Sequence, residues 1–471
     1  MPLSVIILAG GDGTRMNSKC PKVLHKVAGT SMIEHVLSAV KNLNASNIFI
    51  VHGHLGDQVQ AALSAYPEIT WVEQKERLGT GHAVMQVLPY LNKDLNKNLN
   101  TAQQVLILYG DVPLISAETL SHLVESTGKD QLGLLTALVD NPTGLGRIVR
   151  DAYHQVSRIV EEKDASDLEK QIHEINTGIY CVSAQNLAEW LPQLKNENKQ
   201  HEYYLTDIVA FAKASHISIN VSEPKSQQEI MGANSRLELA RLEAIYQQWQ
   251  VENLMKLGVS VNDPSRIDIR GKVLAKRDCF IDSNVILEGE IILGEDCYIG
   301  PNVILKNVVL GNGVEIHANS MIESAVIDDF AVIGPFARIR PDSLIKTGAK
   351  IGNFVEIKKS VIGAGSKVSH LSYIGDSELG LDVNIGAGTI TCNYDGANKS
   401  KTHIGDEAFI GSNTSLIAPV KIGKKATIGA GSVITQDAPE GQLTLSRAAQ
   451  KTVENWVRPE KNKNKEKIKA E

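Results

Sequence analysis

The sequence predicts a Rossmann-like α/β domain over residues 1–235, a helical linker over 236–257 and a parallel β-helix over 258–471. Apolar β-branched runs alternate with amphipathic segments in the first part, a helical period fills the linker, and a six-residue period fills the rest. Each pattern is typical of a different architecture. We therefore expect three successive structures along one chain.

The first part contains four apolar runs that predict strands buried on both faces. These runs read "SVIILA", "NIFIVHG", "VLILYGD" and "LGLLTALV", and the segments "MIEHVLSAVKNL" and "GHAVMQVLPYL" predict helices between strands. This alternation indicates a parallel sheet with helices on both faces. Ligands of such sheets bind beyond the carboxyl ends of the strands.

The linker is predicted to be one long helix. Ser235 and Glu238 have the spacing of a capping box at its start. Apolar residues follow at helical spacing; they are Leu239, Leu242, Tyr246, Trp249 and Leu254.

In the last part aliphatic residues recur every six positions, a period that an α-helix cannot use and a parallel β-helix can. Three series show it: Leu287 to Leu305, Ile333 to Ile357, and Ile404 to Ile434. Glycine often follows the aliphatic residue, which predicts a tight corner. The register breaks between about 390 and 404, where we expect a projecting loop. The tail after 447 is polar and lysine-rich, and its last dozen residues are predicted to be disordered.

The composition excludes several classes of protein. The hydrophobic fraction of 42% and charged fraction of 22% are typical of a soluble globular protein. A net charge of −6 argues against nucleic-acid binding. The five cysteines include no CxxC pair, so we expect reduced thiols rather than a disulfide framework or zinc ribbon. Because no signal peptide or membrane span is evident, we expect no membrane partner and a cytoplasmic location.

The loop "LAGGDGTRM", Leu8 to Met16, follows the first predicted strand. Glycines at 10, 11 and 13 let a phosphate or nucleotide approach the backbone N–H groups, although a tight strand-to-helix turn alone would also explain them. The loop matches neither a Walker A motif nor GxGxxG. The presence of both cations, Arg15 and Lys22, favours a triphosphate ligand at this loop. The alternative explanation is that they are two unrelated surface charges.

Further polar residues stand at later strand ends. Asp111 directly follows an apolar strand, where one carboxylate is a typical magnesium anchor when phosphates supply other ligands, although an aspartate before a proline is also a common turn residue. Asn234 precedes the capping box and could be only a helix N-terminal residue. Others with possible turn or edge roles are Gln74, Gly79, Thr80, Gly146, Glu161 and Asn176.

The motifs "LAGGDGTRM…PKVL", "LGTGHA", "YGDVP", "PTGLGRI", "EINTGIY" and "EYYLTD" resemble, in this order, the sugar-1-phosphate nucleotidyltransferases. With the β-helix added, the chain resembles the bifunctional bacterial N-acetylglucosamine-1-phosphate uridyltransferases/glucosamine-1-phosphate acetyltransferases. The resemblance implies transfer of uridylyl from UTP, catalysed by Arg15 and Lys22, with Mg²⁺ between Asp111 and Asn234. One departure is Gly10, where the family more often has alanine. The implied nucleotide-sugar site comprises Leu8, Ala9, Gly10, Gly11, Lys22, Gln74, Gly79, Thr80, Tyr109, Gly110, Asp111, Gly146, Glu161, Asn176 and Asn234.

The β-helix carries its own candidate site. Arg338 and Arg340 are followed, about one coil of eighteen residues later, by Glu356 and Lys358. His370 and Tyr373 follow on the next coil, and we expect the arginine, lysine, histidine and tyrosine to stack on one edge. Such a stack can hold a phosphate beside a general base.

Two other functions of this half stay open at the level of the residues. The β-helix could be only an oligomerisation or regulatory scaffold of a single-activity nucleotidyltransferase. It could also be a zinc enzyme of the gamma carbonic anhydrase kind, but that needs three convergent histidines, and His317, His370 and His403 are far apart in sequence.

The resemblance implies a left-handed β-helix that assembles as a homotrimer with acetyl-CoA between subunits. It makes His370 the general base that frees the glucosamine amine to attack the thioester. The implied sugar-phosphate residues are Arg340, Lys358, Tyr373 and Asn384. The implied acetyl-CoA residues are Ala387, Asn393, Tyr394, Ser412, Ala430 and Arg447.

Overall fold

The computed structural model describes residues 2–11, 13–53, 55–91 and 103–459. The chain forms two compact units. One unit comprises residues 1–257, 263–273 and 286–289, and the other comprises the remaining residues from 258 onward. The predicted disorder of the last dozen residues lies outside the described residues.

The first unit is built on a mixed sheet with the strand order β11-β7-β10-β6-β1-β4-β5, with β8 pairing with β10 and β9. A separate pair, β2 and β3, forms a short antiparallel ribbon. The strands are β1 (Leu3–Ala9), β2 (Lys26–Val27), β3 (Thr30–Ser31), β4 (Asn47–His52), β5 (Ile69–Glu73), β6 (Gln104–Tyr109), β7 (Gln131–Leu138), β8 (Arg147–Arg150), β9 (Val156–Val160), β10 (Glu174–Ser183) and β11 (Ser218–Ser222).

Helices cover both faces of this sheet, as predicted. One apolar cluster lies between the sheet and α3, α5 and α6, and a second lies between the sheet and α1, α2 and α4. The helices are α1 (Met32–Lys41), α2 (Gly56–Ala62), α3 (Thr80–Met85), α4 (Ala117–Ser126), α5 (Ala184–Trp190), α6 (Ile208–Ala214) and α7 (Arg236–Lys256). Short 3₁₀ turns occupy Thr14–Met16, Lys22–Leu24, Glu169–Gln171, Leu191–Gln193, Leu205–Asp207, Gln227–Ile230 and Pro264–Arg266.

The four predicted strands are present as β1, β4, β6 and β7, and the α/β fold class is confirmed. The sheet is not entirely parallel, however. Strand β10 runs antiparallel between β6 and β7, so "EINTGIY" forms a strand of its own instead of flanking one. The helix predicted over "GHAVMQVLPYL" is interrupted by a turn at 86–87.

Helix α7 is the predicted linker helix, and Ser235 and Glu238 make the predicted capping box. Leu242 is fully buried in a cluster with Met32 and Leu114, and Trp249 packs against the same cluster. The linker helix is therefore part of the first unit and not a free connector.

The second unit contains short parallel strands in two long ladders, which confirms the β-helix. Its strands and those that lead into it are β12 (Ser260–Val261), β13 (Ile267–Ala275), β14 (Phe280–Ile281), β15 (Val285–Leu293), β16 (Tyr298–Ile299), β17 (Ile304–Leu310), β18 (Glu315–Ile316), β19 (Met321–Ile327), β20 (Val332–Ile333), β21 (Arg338–Ile339), β22 (Ser343–Ile345), β23 (Lys350–Asn353), β24 (Glu356–Lys358), β25 (Val361–Ile362), β26 (Lys367–His370), β27 (Tyr373–Gly375), β28 (Ser377–Leu379), β29 (Asn384–Ile385), β30 (Ile390–Cys392), β31 (Thr402–Ile404), β32 (Phe409–Ile410), β33 (Ser415–Ile417), β34 (Val420–Ile422), β35 (Thr427–Ile428), β36 (Val433–Ile434) and β37 (Leu443–Thr444).

The six-residue aliphatic series points inward, because the residues of all three series are buried. Gly352 shows why glycine follows: a Cβ there would lie 1.9 Å from the carbonyl oxygen of Ser369 on the next coil. The ladder breaks between β30 and β31, where the predicted loop occurs. Within the described part of the chain, no helix is long and apolar enough to cross a membrane. All five cysteines are free thiols.

Candidate functional sites

The glycine loop after β1 lies against the segment that carries Lys22. A Cβ at Gly13 would lie 2.9 Å from Lys22 Cβ, and the φ of Gly13 is 58°, in the region that favours glycine. On the other side of the loop, a Cβ at Gly10 would lie 3.2 Å from Gln74 Oε1. A side chain at Gly10 or Gly13 would therefore crowd Gln74 or Lys22.

Lys22, Asp111 and Asn234 come together although 212 residues separate the first from the last. The Lys22 ammonium donates to Asp111 Oδ2 at 2.5 Å and to Asn234 Oδ1 at 3.0 Å. Both members of the ion pair are mostly buried, with side chains 14% and 15% exposed. Two oxygens from distant parts of the unit therefore converge on one positive charge.

This donor set fits a magnesium ion. Mg²⁺ prefers oxygen ligands and is usually held by one or two carboxylates together with substrate phosphates. Asp111 offers the carboxylate and Asn234 the amide oxygen, and both already face a cation.

Asn234 makes backbone and side-chain contacts to different parts of the unit. Its backbone N–H donates to Glu238 Oε2 at 2.6 Å, and Glu238 also accepts from the Ser235 backbone at 3.0 Å. The capping box therefore holds the residue whose side chain faces Lys22. The sequence left open whether Asn234 is only a helix-terminal residue; its backbone does contact the capping box, and its side chain faces Lys22.

Arg15 lies in the 3₁₀ turn Thr14–Met16 and is exposed. No ion pair or hydrogen bond to a residue within the described ranges involves its guanidinium group. Its charge is therefore available to an anionic ligand.

The "EQKERLGTGHA" segment is held in place by polar contacts. Gln74 is buried, and its amide donates to the Gly79 carbonyl at 3.1 Å and contacts His82 Nδ1 at 3.1 Å. Thr80 begins α3, and its hydroxyl accepts from the Leu205 backbone at 3.2 Å. These contacts fix the loop before α3, next to the strand ends.

Gly146, Glu161 and Asn176 also meet. The Asn176 backbone N–H donates to the Gly146 carbonyl at 2.9 Å, and a Cβ at Gly146 would lie 3.5 Å from both Glu161 carboxylate oxygens. Burial raises the pKa of Glu161 above its ordinary value, and the nearby carboxylates of Asp164 and Asp207 act in the same direction. The three residues predicted to contact the sugar thus form one cluster.

Two tyrosines adjoin this cluster, Tyr180 buried and Tyr109 partly buried. Burial raises the pKa of both Tyr109 and Tyr180, and the charges of Glu161 and Asp111 add to the effect on Tyr109. The Tyr180 hydroxyl donates to Asn176 Oδ1 at 3.1 Å. Sequence reasoning missed Tyr180, although "EINTGIY" was quoted as a motif, because its place inside β10 was not foreseen.

Thr206 is a second missed residue. Thr206, in the "EYYLTD" segment, acts to lower the pKa of Glu161 and lines the same cavity as Glu161, and Tyr204 of this segment donates to Asp164 at 3.3 Å. A cavity of about 400 Å³ lies beside these groups. The motif was visible in the sequence, but nothing there tied it to Glu161.

At the start of the nucleotide loop, Leu8 and Ala9 end β1. The Gly110 N–H donates to the Leu8 carbonyl at 2.9 Å. The ends of β1 and β6 are therefore adjacent, and they bring the glycine loop and Asp111 to the same edge of the sheet.

On the β-helix, the expected alignment of two coils holds. Arg338 pairs with Glu356, and Glu356 pairs with Tyr373 on the following coil. Arg340 Nη1 donates to Glu356 Oε1 at 2.8 Å, and the Arg340 backbone N–H donates to the carbonyl of Ile357, next to Lys358. The arginine, lysine and tyrosine predicted to bind a sugar phosphate thus share one sheet.

His370 does not stand over Lys358, and this part of the expected stack is wrong. Its register partner is Asn353, 17 residues earlier, and its Nδ1 contacts Asn353 Oδ1 at 3.0 Å. His370 follows Lys358 by 12 residues, only two of the three hexads of a coil, and it ends β26 at the corner before the sheet that carries Lys358 and Tyr373. It is exposed.

Asn384 lies on the other ladder. It pairs with Lys367 and Phe409, whereas Arg340, Lys358 and Tyr373 lie on the ladder that contains β24 and β27. Within this chain Asn384 is therefore not on the same face as the other three proposed sugar-phosphate residues.

Four of the predicted acetyl-CoA residues form a ladder on successive coils. The Asn413 N–H donates to the Ala387 carbonyl and the Gly431 N–H to the Ser412 carbonyl, both at 2.8 Å. Arg447 Nη1 donates to the Ala430 carbonyl at 3.1 Å. Ala387, Ser412 and Ala430 therefore make a column of small residues that ends at a cation.

Asn393 and Tyr394 lie in the loop between β30 and β31. Asn393 is buried, and its Nδ2 donates to the Asp376 carboxylate. Tyr394 is exposed. Asn393 is thus tied to the coil, while Tyr394 is presented outward.

The three histidines of the zinc alternative have separate partners. His317 contacts Glu315 at 3.5 Å, and His403 contacts Glu378 at 3.3 Å. His370 contacts Asn353. In the described residues, no group of three or more histidine, cysteine, aspartate or glutamate side chains is arranged to hold a metal.

Comparison with known proteins identifies both halves. Residues 5–175 match the MobA-like NTP transferase domain, residues 290–324 the hexapeptide repeat of succinyl-transferase, and residues 401–436 the bacterial transferase hexapeptide (six repeats). A putative glucose-1-phosphate thymidylyltransferase from Bacillus anthracis covers 52% of this chain and 94% of its own, at 20% identity with a TM-score of 0.41.

Full-length relatives are much closer. The "Bifunctional protein GlmU" of Francisella philomiragia subsp. philomiragia is 56% identical, covering 98% of this chain and 100% of its own. The protein of the same name from Francisella tularensis subsp. novicida is 55% identical, covering 99% and 100%. With an NTP transferase domain, hexapeptide transferase repeats and this identity over nearly its whole length, the chain belongs to the GlmU family of bifunctional proteins.

Proposed function

We propose that the chain makes UDP-N-acetylglucosamine in two steps. The β-helix transfers an acetyl group from acetyl-CoA to the amine of glucosamine-1-phosphate. The α/β unit then transfers uridylyl from UTP to N-acetylglucosamine-1-phosphate and releases pyrophosphate. The observation that carries this proposal is the 56% identity to a bifunctional GlmU over 98% of this chain, which spans both the α/β unit and the β-helix.

In the α/β unit the proposed chemistry is phosphoryl transfer. The attacking phosphate oxygen is ionised at neutral pH, so no general base is needed. What the chain must supply is charge neutralisation and positioning. Arg15, which has no ion-pair partner among the described residues, offers its guanidinium to the triphosphate. Lys22 offers a second cation, and the loop from Leu8 to Gly11 offers its backbone N–H groups.

We propose that Asp111 and Asn234 hold Mg²⁺ here. The ion, when bound, neutralises charge on the phosphates. Support comes from the convergence of both side chains on the Lys22 ammonium, a position where a positive charge is already stabilised. On the sugar side, Gly146, Glu161 and Asn176 offer a carbonyl, a carboxylate and an amide to hydroxyl and acetamido groups.

In the β-helix, Arg340 and Lys358 would bind the sugar phosphate, with Tyr373 beside them. His370 would accept the proton of the ammonium group so that the free amine can attack the thioester carbonyl. Asn353 contacts Nδ1, which leaves Nε2 for the substrate. The column Ala387, Ser412 and Ala430, closed by Arg447, would receive acetyl-CoA because small residues leave room for a chain and arginine suits its phosphates.

The alternative is a single-activity nucleotidyltransferase with a β-helix scaffold. It explains neither the cationic ladder at Arg340 and Lys358 nor the column that ends at Arg447. We also propose that the chain acts as a cytoplasmic homotrimer assembled through its β-helix. Asn384, which lies on a different ladder from Lys358, would then face the sugar-phosphate residues of a neighbouring copy.

A reactant-omission assay tests the proposal. The full chain is incubated with glucosamine-1-phosphate, acetyl-CoA, UTP and Mg²⁺, and each reactant is left out in turn. Free thiol should require the first two only, and pyrophosphate should require all four. Pyrophosphate release from glucosamine-1-phosphate without acetyl-CoA, or thiol release that needs UTP, would contradict the proposed order of steps.

A further inference from the structure

We infer that Asp376 is a positioning residue that couples the two substrate subsites of the acetyltransferase. One carboxylate oxygen, Oδ2, accepts from Asn393 Nδ2 and lies 4.0 Å from the Lys358 ammonium. Lys358 belongs to the proposed sugar-phosphate site and Asn393 to the proposed acetyl-CoA site. This inference deepens the proposed acetyl transfer and rests on it.

The contact between the Asp376 carboxylate and the Lys358 ammonium is largely shielded from water. The Asp376 side chain is 8% exposed and that of Lys358 is 21% exposed, so water screens the pair only weakly. A buried carboxylate requires a partner, and here two different segments supply one each. If either Lys358 or Asn393 moved away, this buried carboxylate would lose one of its two partners.

The backbone of Asp376 joins the same segments. Its N–H donates to the Lys358 carbonyl at 3.0 Å, and its carbonyl accepts from the Thr402 N–H at 3.2 Å. Thr402 begins the strand after the loop, and Asn393 lies at the start of the loop. Asp376 thus holds both ends of the loop that carries Tyr394 against the coil that carries Lys358.

The backbone conformation of Asp376 allows substitutions that introduce no backbone strain. Its φ is 48°, a left-handed conformation that asparagine and glycine both accept. Asp376→Asn keeps an oxygen acceptor for Asn393 but removes the charge beside Lys358. Asp376→Gly removes both contacts without backbone strain. The control is Asp296, an exposed β-helix aspartate with a φ of 59°, changed in the same two ways.

The test measures thiol release by the full-length protein while glucosamine-1-phosphate and acetyl-CoA are varied separately. Asp376→Asn should raise KM for the sugar phosphate about fivefold and leave KM for acetyl-CoA within about twofold. Asp376→Gly should raise both. Amide hydrogen exchange over residues 393–401 should become faster in Asp376→Gly only, and the Asp296 variants should match wild type.

Two results would overturn the inference. One is an unchanged KM for the sugar phosphate in Asp376→Asn. The other is wild-type loop exchange together with an unchanged KM for acetyl-CoA in Asp376→Gly. If the wild-type protein itself released no thiol, the proposed acetyl transfer would be wrong, and the exchange measurement would still decide whether Asp376 anchors the loop.

Discussion

Lys22 donates to both residues proposed to hold magnesium, so its position bears directly on metal dependence. The ammonium balances the Asp111 carboxylate within a mostly buried pair. Asp111→Ala leaves that buried ammonium with only the neutral Asn234 oxygen and removes the proposed metal carboxylate. We expect Asp111→Ala, or chelation of Mg²⁺ in wild type, to stop pyrophosphate release from UTP and leave thiol release intact. Retained pyrophosphate release in both cases would exclude this metal site.

Arg15 is expected to act only on the nucleotide. Losing one preorganised charge at a phosphoryl-transfer transition state typically costs about 10²-fold or more in turnover. Arg15→Ala should show that loss in pyrophosphate release and none in thiol release. Lys19→Ala, which removes another exposed cation of the same loop region, is the matched control. Equal loss of both activities would instead indicate a folding defect.

Replacing His370 distinguishes a catalytic base from an exposed residue that has no catalytic role. General-base contributions are typically about 10²–10⁴-fold, so His370→Ala should lower acetyl turnover by that order. KM for acetyl-CoA should change little, because the imidazole is not proposed to bind it. His403→Ala, another partly exposed β-helix histidine, is the control. Near-normal turnover of the His370 variant would assign proton removal to another group or to solvent.

At the scale of elements, the capping box of α7 does more than begin a helix. Glu238 holds the Asn234 backbone, and we expect Glu238→Ala to raise the Mg²⁺ concentration needed for half-maximal pyrophosphate release about three- to tenfold. The control is Glu252→Ala on the same helix, whose carboxylate contacts Gln248. An unchanged Mg²⁺ requirement in Glu238→Ala would show that the cap does not position Asn234.

Elements with a strong period could be predicted from the sequence. The hexads predicted the buried aliphatic residues because every sixth side chain points into the coil. Helix α7 was predicted from its cap and spacing. Strand β10 was missed because its polar residues, Asn176 among them, hide the apolar pattern. The position of His370 was misjudged because it follows Lys358 by 12 residues, only two of the three hexads of a coil, so its side chain lies on a different side of the coil.

Some site residues could likewise be predicted from the sequence and others could not. Lys22, Asp111 and Asn234 could be proposed from strand ends and the helix cap, but their meeting depends on tertiary contacts over 212 residues. Thr206 and Asp376 carry no pattern that separates them from ordinary turn residues. Their roles follow only from the side chains that they contact.

At the scale of the whole chain, the first unit extends beyond the sheet. Leu242 of helix α7 packs against Met32 and Leu114. Gln247 of the same helix exchanges hydrogen bonds of 2.8 Å with the backbone of Ile269. We expect a fragment of residues 1–289 to transfer uridylyl at the wild-type rate. A fragment of residues 1–234 should melt about 5 °C lower or more, because that cluster loses its cover. Equal melting temperatures would show that α7 contributes nothing to the unit.

The central claim is that one chain carries two independent active sites that act in sequence, and product analysis of two variants tests it most directly. With all four reactants, Arg15→Ala should accumulate N-acetylglucosamine-1-phosphate. His370→Ala should form almost no UDP-N-acetylglucosamine until N-acetylglucosamine-1-phosphate is added, and then form it at the wild-type rate. Failure of that addition to restore product, or loss of acetylation in Arg15→Ala, would contradict the account.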